Sequence, residues 1–324
     1  MREYYLVTGA AGFIGWKVCE FLLKEGNIVL GVDNLNSAYD PLLKEWRLNE
    51  LKKYENFKFH QVDLSNFSAL KLLFEIYPIR AVIHLAARAG VRQSLTNPWV
   101  YVESNITATL NILFLMKDFG IKKLVLASTS SVYAGQNPPY HEELKVDTLI
   151  SPYAATKKSA ELLAYTYHYL YGLDISVLRY FTVYGPAGRP DMSIFRFIKW
   201  IIEEKPIEIY GDGSQARDFT YIDDIARGTL LALKPLGFEI INLGGGKNPV
   251  SINQIIDILE RLLQKKAKKN YLPFHKADVK ITWADIEKAK RLLSWEPQIP
   301  LEEGLKRTVD WALENRELIK KINV

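Results

Sequence analysis

The first half of the chain alternates short apolar runs with stretches of helical spacing. The runs are four to seven residues long, and a stretch over 13–25 with apolar residues at helical spacing follows the first of them. Short apolar runs separated by helical segments are typical of a parallel sheet covered by helices on both faces. Right-handed crossovers between such strands predict a doubly wound, Rossmann-like sheet. The predicted strands cover residues 4–8, 28–33, 57–63, 81–84, 123–128 and 175–180.

The pattern loosens after about residue 180, where Gly185-Pro186 and the Gly-Asp-Gly-Ser run at 211–214 indicate loops. Helical spacing returns near 192–204, 252–264, 285–293 and 301–320. We therefore expect an α/β protein with two parts. A doubly wound parallel-sheet Rossmann domain is expected over residues 1–180, together with about 215–240, and a smaller C-terminal substrate lobe over 181–324.

Composition is that of an ordinary globular protein. The 324 residues, 48% hydrophobic and 24% charged, suit one large α/β unit with a smaller lobe. No apolar run approaches the roughly 18 residues that cross a bilayer, and the N-terminal residues lead directly into the first strand, so no membrane partner is expected. The single cysteine, Cys19, excludes an internal disulfide and fits a cytoplasmic location. The net charge of +5 is thinly spread except at 265–269, so no nucleic-acid partner is expected.

A glycine-rich turn joins the first predicted strand to the first helix. The segment Gly9-Ala-Ala-Gly12-Phe-Ile-Gly15 lets the backbone approach a pyrophosphate, and the helix start offers N–H groups and a partial positive charge. Asp33 follows Gly15 by 18 positions, where an acid meets a ribose diol and repels a 2′-phosphate. Asp63 is expected to meet the adenine, with helix capping as the alternative. The turn and Asp33 predict bound NAD rather than NADP.

Tyr153 and Lys157 are the main candidates for chemistry. Pro152 opens a helix well, and a spacing of four residues puts both side chains on one helical face, one turn apart. A nearby ammonium and a positive nicotinamide favour the phenolate, which makes Tyr153 a usable base near neutral pH. The hydroxyl-rich segment 127–133 ends the fifth strand at the ligand-facing edge of the sheet. These residues predict chemistry at a sugar hydroxyl.

Several of these motifs resemble those of the extended short-chain dehydrogenases. The resemblance rests on the glycine turn, Asp33, Thr129 with Tyr153 and Lys157, and Arg179-Tyr-Phe, and it runs to Leu301-Glu-Glu-Gly near the end of the chain. It implies a Rossmann fold, bound NAD and catalysis by the Thr-Tyr-Lys set. The cofactor contacts that it implies are Gly9, Gly12, Phe13, Ile14, Gly15, Asp33, Asn34, Asn36, Ser37, Asp63, Leu64, Leu85, Ala86, Ala87, Asn105, Tyr153, Lys157, Tyr180 and Phe181.

Three segments narrow the resemblance to the UDP-glucuronate 4-epimerases. Segments 33–44 and 84–94 are similar to theirs, although glutamine is usual in that family where this chain has Arg88. Segment 179–192 is the most specific, because UDP-galactose 4-epimerases usually carry asparagine where this chain has Thr182. Relatives that dehydrate or decarboxylate a 4-keto sugar usually place an acid beside the catalytic hydroxyl. Serines stand at 130–131 here, and this favours epimerisation.

A hexuronate carboxylate needs more hydrogen-bond donors than the neutral hydroxymethyl group that it replaces. The expected substrate contacts are Arg88, Thr129, Ser130, Ser131, Tyr153, Thr182, Arg189, Tyr210, Arg217, His275 and Asp278. Arg88 could instead contact the cofactor or the surface, and Arg189 could order a loop or contact the diphosphate. Arg217 matches the family's diphosphate arginine, with pairing to a nearby aspartate as the alternative. Lys276 is the alternative to His275, and the five histidines show no metal spacing.

The resemblance also implies a reaction and an assembly. Tyr153, aided by Thr129, takes the 4-hydroxyl proton, a hydride passes from C4 to NAD, and the 4-keto sugar turns over before the hydride returns. The expected reaction is interconversion of UDP-glucuronate and UDP-galacturonate. The alternatives are a UDP-glucose or UDP-N-acetylhexosamine 4-epimerase, a UDP-glucuronate decarboxylase, and a non-catalytic NAD-binding regulator. Helices near 99–119 and 153–171 correspond to those that pair in the family's homodimers.

Overall fold

The computed structural model describes residues 3–247, 249–274 and 278–324. The strands are β1 (Tyr4–Thr8), β2 (Ile28–Asp33), β3 (Phe57–Gln61), β4 (Ile79–His84), β5 (Lys123–Thr129), β6 (Asp174–Tyr180), β7 (Thr182–Tyr184), β8 (Pro206–Tyr210), β9 (Ala216–Arg217), β10 (Phe219–Tyr221), β11 (Phe238–Leu243), β12 (Val250–Ser251) and β13 (Lys268–Leu272). The helices are α1 (Phe13–Lys24), α2 (Leu42–Leu51), α3 (Phe67–Ile76), α4 (Val91–Thr96), α5 (Trp99–Tyr101), α6 (Ala108–Asp118), α7 (Pro152–Tyr171), α8 (Ser193–Ile202), α9 (Ile222–Leu231), α10 (Ile252–Leu263), α11 (Glu287–Leu293), α12 (Leu301–Glu314) and α13 (Arg316–Lys321). A π-helical turn, Val102–Thr107, leads into α6, and a 3₁₀ turn, Ser130–Tyr133, follows β5.

Seven of the described strands form one parallel sheet in the order β11-β6-β5-β4-β1-β2-β3. The chain order reverses between β1 and β4, so the connections that leave these strands diverge and open a crevice at their carboxyl ends. This is the doubly wound α/β arrangement that the sequence predicts. The sequence pattern did not assign β11, which pairs in parallel with β6 and extends the sheet to Leu243.

Two hydrophobic cores cover the two faces of the sheet. Neighbouring residues of a strand point to opposite faces, so Leu6 belongs to one core and Val7 to the other. The core around Val7 continues into the C-terminal part of the chain as far as Ile322. α9 packs along α1, and the strand pairs β7–β10, β8–β13 and β9–β12 lie outside the main sheet. The second half of the chain is therefore joined to the sheet through a shared core.

Most predicted elements differ from the structure only at their ends. β1 and β2 have the predicted bounds, whereas β3 ends at Gln61 and β4 begins at Ile79. The single helix predicted over 301–320 is wrong, because Asn315 separates α12 from α13. The Asn315 side-chain amide donates to the Trp311 carbonyl at 2.9 Å and so competes with the helical backbone. No helix of the described ranges combines the length and the hydropathy needed to cross a bilayer.

Local capping fixes both ends of α7. Ser151 Oγ accepts the N–H of Ala154 at 3.2 Å, and Pro152 occupies the first turn. At the other end, Gly172 has a φ of 63°, a left-handed conformation that glycine adopts at little cost. Because α7 starts at a fixed residue, the positions of Tyr153 and Lys157 relative to the end of β5 are also fixed.

Candidate active site

A cavity of about 630 Å³ opens at the carboxyl ends of the central strands and is lined by both halves of the chain. Ligands of doubly wound sheets bind at this edge, where the strand order reverses. The predicted residues that line it are Gly9, Gly12, Phe13, Ile14, Gly15, Asp33, Asn34, Asn36, Asp63, Leu64, Leu85, Ala86, Ala87, Thr129, Ser130, Ser131, Tyr153, Lys157, Tyr180, Phe181, Thr182, Arg189, Tyr210, Arg217 and Asp278.

The glycine turn between β1 and α1 is too tight for side chains. Gly9 has a φ of +69°, and the N–H of Gly12 donates to the Gly9 carbonyl at 2.8 Å. A Cβ at Gly15 would lie 2.0 Å from that carbonyl oxygen, so any substitution there must move the backbone. No side chain caps α1, which leaves its first N–H groups available to an anion. The turn therefore fits the pyrophosphate of a dinucleotide.

Asp33 is held against this turn. Its carboxylate accepts N–H bonds from Leu35 at 2.8 Å and from Ala11 at 3.3 Å. Lys44 of α2, which sequence analysis did not assign to the site, lies 3.5 Å from Asp33 and also lines the cavity. Its position at the end of the family-like segment 33–44 was the available signal. The lysine offsets part of the Asp33 charge at the point where a ribose would bind.

Asp63 lines the cavity, and protein groups also satisfy its carboxylate. It accepts a hydrogen bond from Asn34 Nδ2 at 2.8 Å and from the Ser65 N–H at 2.9 Å. The helix that follows, α3, is capped by Asn66 and not by Asp63. Asp63 therefore orders the segment between β3 and α3 while one face remains toward the cavity.

Thr129, Tyr153 and Lys157 lie together in the cavity wall. Thr129 ends β5, and its Oγ1 accepts the N–H of Ser131 at 3.1 Å. The Tyr153 ring packs edge-on against Tyr101, with the ring centroids 6.1 Å apart. The hydroxyl, phenol and ammonium predicted for catalysis are thus brought together by the end of β5 and the first two turns of α7.

Burial controls the charge state of this group. It raises the pKa of Tyr153, while the Thr129 hydroxyl and the Arg189 charge act in the opposite direction. Burial also lowers the pKa of Lys157 to about 8, with the Glu161 charge acting to raise it. The predicted lowering of the Tyr153 pKa counts a positive nicotinamide together with the Lys157 ammonium. With the protein's own groups alone, desolvation by burial is the largest effect on both residues and disfavours both charged forms.

A buried ion pair fastens α7 to the sheet. Glu161, one turn beyond Lys157, accepts hydrogen bonds from Arg179 Nε at 2.9 Å and Nη2 at 2.8 Å. Ser128 Oγ donates to the same carboxylate at 2.6 Å. Such buried charges need partners, because an unpaired one costs several kcal/mol, typically ~3–5. Sequence analysis missed this role of Glu161, although its spacing of four from Lys157 puts both residues on one helical face.

Hydroxyl groups and a guanidinium line the cavity wall beside Tyr153. The 3₁₀ turn Ser130–Tyr133 and Thr182, at the start of β7, supply the hydroxyls. Arg189 follows β7 in the next loop, and its guanidinium pairs with Asp191 at 2.6 Å. Hydroxyl and guanidinium groups both donate hydrogen bonds to carboxylates. This wall can therefore hold an anionic group near the Tyr153 phenol.

Among the described residues, three predicted contacts lie outside the cavity lining: Ser37, Arg88 and Asn105. The Arg88 N–H donates to Asn105 Oδ1 at 2.8 Å, and Asn105 Nδ2 donates to the Arg88 carbonyl at 3.0 Å. Asn105 Nδ2 also donates to Thr156 Oγ1 of α7 at 3.0 Å. The Arg88 guanidinium reaches Asn36 at 3.4 Å, while Ser37 is exposed. Asn105 thus links the segment after β4 to α7.

Arg92 lies in the cavity lining, and sequence analysis overlooked it. Its guanidinium forms an ion pair with Asp278 and stacks over the Tyr210 ring, 3.9 Å from the centroid. The available signal was its place in the family-like segment 84–94. The pair bridges the segment after β4 to the C-terminal part of the chain.

Arg217 faces the same end of the cavity. Its Nη1 donates to the Ala216 carbonyl at 2.9 Å and the Lys280 carbonyl at 3.3 Å. Within the described ranges no carboxylate lies within 4 Å of it, so the alternative of pairing with an aspartate is wrong for those residues. The predictions for His275 and Lys276 lie outside the described residues.

The histidine beside this site has a structural environment. His84 Nδ1 lies 2.7 Å from Thr8 Oγ1, and its Nε2 lies 3.1 Å from Thr109 Oγ1. Burial lowers its pKa to about 3, and the Lys157 charge acts in the same direction. It is therefore neutral near pH 7. In the part of the chain that the structure describes, no three His, Cys, Asp or Glu side chains gather as a metal site would require.

Comparison with known proteins gives consistent results. The model of the NAD dependent epimerase/dehydratase family matches residues 5–244. A UDP-glucuronate 4-epimerase of Thermodesulfobacterium geofontis (strain OPF15) is 80% identical over 321 residues, 99% of each chain. The Bacillus cereus UDP-glucuronic acid 4-epimerase, crystallised with UDP-glucuronic acid and NAD, is 42% identical with a TM-score of 0.90, over 96% of this chain and 99% of that one. The Thermotoga maritima UDP-glucose 4-epimerase with UDP-glucose is 33% identical with a TM-score of 0.89, over 97% and 99%.

Asp33→Ser should weaken the preference for NAD over NADP. The substitution removes the carboxylate that repels a 2′-phosphate and leaves Lys44 in place, so the ratio of the two affinities should fall by about tenfold or more, ~1.4 kcal/mol. Calorimetric titration of the apoprotein with each dinucleotide measures that ratio. Asp40→Asn is the matched control, because its carboxylate accepts hydrogen bonds from Asn323. An unchanged ratio in Asp33→Ser would remove Asp33 from cofactor selection.

Proposed function

The chain belongs to the NAD dependent epimerase/dehydratase family, and from this premise we propose that it is a UDP-glucuronate 4-epimerase, which interconverts UDP-glucuronate and UDP-galacturonate. The observation that carries the proposal is the 80% identity, over 99% of both chains, to the enzyme of that name from Thermodesulfobacterium geofontis. The cavity lining is drawn from segments between Gly9 and Thr282. A match over the whole length therefore includes every segment that builds the cavity.

The chain's own residues supply the acid–base chemistry. When bound, NAD supplies hydride acceptance and hydride return at C4 of the sugar. Tyr153 takes the proton of the C4 hydroxyl, and Thr129 orients that hydroxyl toward it. Lys157, with a pKa of about 8, carries a positive charge near neutral pH one turn from Tyr153. After the 4-keto sugar has turned over and C4 has been reduced from its opposite face, Tyr153 returns the proton to the C4 oxygen.

The sugar acid distinguishes this proposal from the second candidate, a UDP-glucose 4-epimerase. The Thermotoga maritima enzyme shares the fold, so the fold alone does not select the sugar. The hydroxyls of Ser130, Ser131 and Thr182, with the Arg189 guanidinium, line the wall beside Tyr153. A carboxylate uses several such donors at once, whereas a hydroxymethyl group uses one or two. This wall favours UDP-glucuronate.

Decarboxylation is the reaction that such an enzyme must prevent. A 4-keto-hexuronic acid is a β-keto acid, and it loses CO₂ when the carboxylate bond aligns with the π system of the carbonyl. We propose that Thr182 and the Thr129–Ser131 hydroxyls hold the carboxylate away from that alignment. Shielding of the intermediate from stray protons acts in the same direction. The intact set of Thr129, Tyr153 and Lys157 argues against a non-catalytic regulator.

We further propose that different parts of the chain form the NAD site and the UDP-sugar site. Residues 1–180, with about 215–240, carry the NAD site, and residues 181–324 carry the UDP-sugar site. The glycine turn and Asp33 support the first assignment, and Tyr210 and Asp278 support the second. A cytoplasmic location is supported by the single cysteine, Cys19, which is buried and leaves no internal disulfide.

A homodimer is proposed through α6 and α7. A set of exposed apolar side chains lies on and around these helices, and exposed apolar patches are typical of protein–protein interfaces. Its members are Trp99, Val102, Leu110, Phe114, Leu162, Tyr165, Tyr169 and Leu170. Trp99 is 76% exposed and Tyr169 is 75% exposed, although both are large and apolar. Pairing of these helices across a two-fold axis would cover them.

Tyr153→Phe should lower kcat by about 10²–10⁴ while leaving the fold intact, because it removes the acid–base group and keeps the ring packing. The rate of UDP-glucuronate conversion is measured by NMR of quenched samples, and the melting temperature of the variant is measured in parallel. Tyr171→Phe, which removes a phenol at the far end of α7, is the control. Near-normal turnover in folded Tyr153→Phe would exclude the mechanism.

The wild type should convert UDP-glucuronate to UDP-galacturonate with only traces of UDP-pentose, and Thr182→Val should be slower with a larger pentose fraction. The reason is that a carboxylate with fewer donors samples the reactive rotamer more often. NMR of the product mixture measures both quantities. Thr220→Val, on the paired strand β10, is the control. Dominant UDP-pentose from the wild type would favour a decarboxylase, and equal turnover of UDP-glucose would show that Thr182 does not recognise the acid.

Light scattering should give a particle of twice the chain mass of 37.2 kDa. Leu162→Arg should shift the particle toward the monomer, since a charge buried between subunits is costly. Leu313→Arg, at an exposed leucine of α12, should leave the mass unchanged. A monomeric wild type would contradict the proposed assembly.

A further inference from the structure

Arg47 of α2 is a fully buried cation without an acidic partner. Its side chain has an exposed fraction of 0%, and within the described residues no carboxylate lies within 4 Å of its guanidinium. A buried charge is stable only if hydrogen bonds replace its lost hydration. The groups that Arg47 contacts must therefore stabilise its buried charge.

Every nitrogen of the Arg47 guanidinium donates to a neutral acceptor. Nε and Nη2 donate to the Ala187 carbonyl at 3.1 and 2.6 Å, and Nη2 also reaches the Gly188 carbonyl at 3.2 Å. Nη1 donates to the Ala11 carbonyl at 3.1 Å and to the Tyr39 phenol at 2.7 Å. The planar fork thus binds three separate segments of the chain in one geometry.

Each of these three segments contributes to the cavity. Ala11 lies in the glycine turn that fits a pyrophosphate. Tyr39 belongs to the segment after β2 and lines the cavity itself. Ala187 lies in the loop after β7, 140 residues away from Arg47 in the sequence. Arg47 therefore connects the dinucleotide side of the site to the sugar side through hydrogen bonds to the segments that form them.

The loop after β7 contains an unfavourable backbone conformation that contacts from outside the loop must stabilise. Ala187 has a φ of +51°, a left-handed conformation that is unfavourable for a residue with a Cβ. Arg189 follows two residues later, lies 5.9 Å from the Tyr39 ring centroid and pairs with Asp191. Its charge acts on the Tyr153 phenol and counters the effect of burial on that group's pKa. A change at Ala187 would therefore move the guanidinium that faces the reacting end of the cavity.

We propose that Arg47 is a positioning residue that couples the glycine turn to the loop carrying Arg189, so that Arg189 is directed at the sugar end only while the turn is correctly formed. Arg47 does not line the described cavity and acts through the carbonyls of Ala11, Ala187 and Gly188. The proposal deepens the proposed function and rests on it where sugar chemistry is the readout. In this proposal, α2 aligns the two halves of the site. The sequence pattern did not predict this helix.

The test compares Arg47→Met and Arg47→Lys with the wild-type holoenzyme. Methionine keeps most of the packing volume and removes all donors, whereas lysine keeps the charge and part of the hydrogen bonding. We expect Arg47→Met to lower kcat/KM for UDP-glucuronate by tenfold or more and to raise the UDP-pentose fraction. The dissociation constant for UDP should stay within twofold, because Arg217 and Tyr210 lie at the other end of the cavity. Arg47→Lys should shift the same quantities in the same direction by less.

Lys199→Met is the matched control for loss of stability. Lys199 is also a buried cation that donates to backbone carbonyls, at 2.7 Å to Ile319 and 3.2 Å to Lys320, but it fastens α13 to α8. The Lys199→Met variant should have a lower melting temperature, while its kcat/KM, product ratio and UDP binding should stay at wild-type values. If Arg47→Met changes only the melting temperature, as Lys199→Met does, the proposal is overturned.

Two further measurements keep the outcome decisive. If Arg47→Met does not fold, Arg47→Lys decides, and wild-type kcat/KM and product ratio in that variant overturn the proposal. In a Tyr153→Phe background, where turnover is expected to be slower by about 10²–10⁴, calorimetry compares UDP-glucuronate with UDP. Arg47→Lys should weaken UDP-glucuronate binding and spare UDP. A wild type that does not epimerise UDP-glucuronate would contradict the proposed function, whereas this binding difference tests Arg47 alone.

Discussion

The tight turn between β1 and α1 is the constraint on which the rest of the site depends. Helix α1 begins so close to the end of β1 that a single added carbon at Gly15 would overlap the Gly9 carbonyl. The turn exposes backbone on both sides, and the protein uses both. The Ala11 N–H binds Asp33, and the Ala11 carbonyl binds Arg47. The same few peptide groups therefore hold Asp33 and, through Arg47, the loop that carries Arg189.

Three buried cations around the cavity are stabilised in three different ways. Arg179 has a carboxylate partner, Glu161, and the pair fastens α7 to the sheet. Arg47 has only carbonyls and a phenol, which suit a rigid fork that aligns backbone segments. Lys157 has neither arrangement among its described contacts, and burial lowers its pKa to about 8. A cation whose charge is only moderately favoured suits a residue that must respond to a neighbouring phenol.

In the proposed function, the choice of sugar depends on a small part of the structure. Solved structures named for different sugars share the overall fold of this chain. Thr182 and Arg189 lie on β7 and the loop after it, outside the main sheet. Such a loop can change its side chains at little cost to the two cores. Arg47 links this loop to the glycine turn through the carbonyls of Ala187 and Ala11.

Sequence alone determined the features that depend on neighbours along the chain. The period of apolar residues predicted β1, α1 and β2, and the spacing of four predicted that Tyr153 and Lys157 share a helical face, as the structure shows. Tertiary structure alone decided which distant groups meet. Arg47 meets Ala187 across 140 residues, and Arg92 meets Asp278 across 186. It also decided the sign of the Tyr153 pKa shift, because burial is a property of the packed chain. Local periodicity carries no record of such contacts, since they arise only when the crossovers of the sheet bring separate segments together.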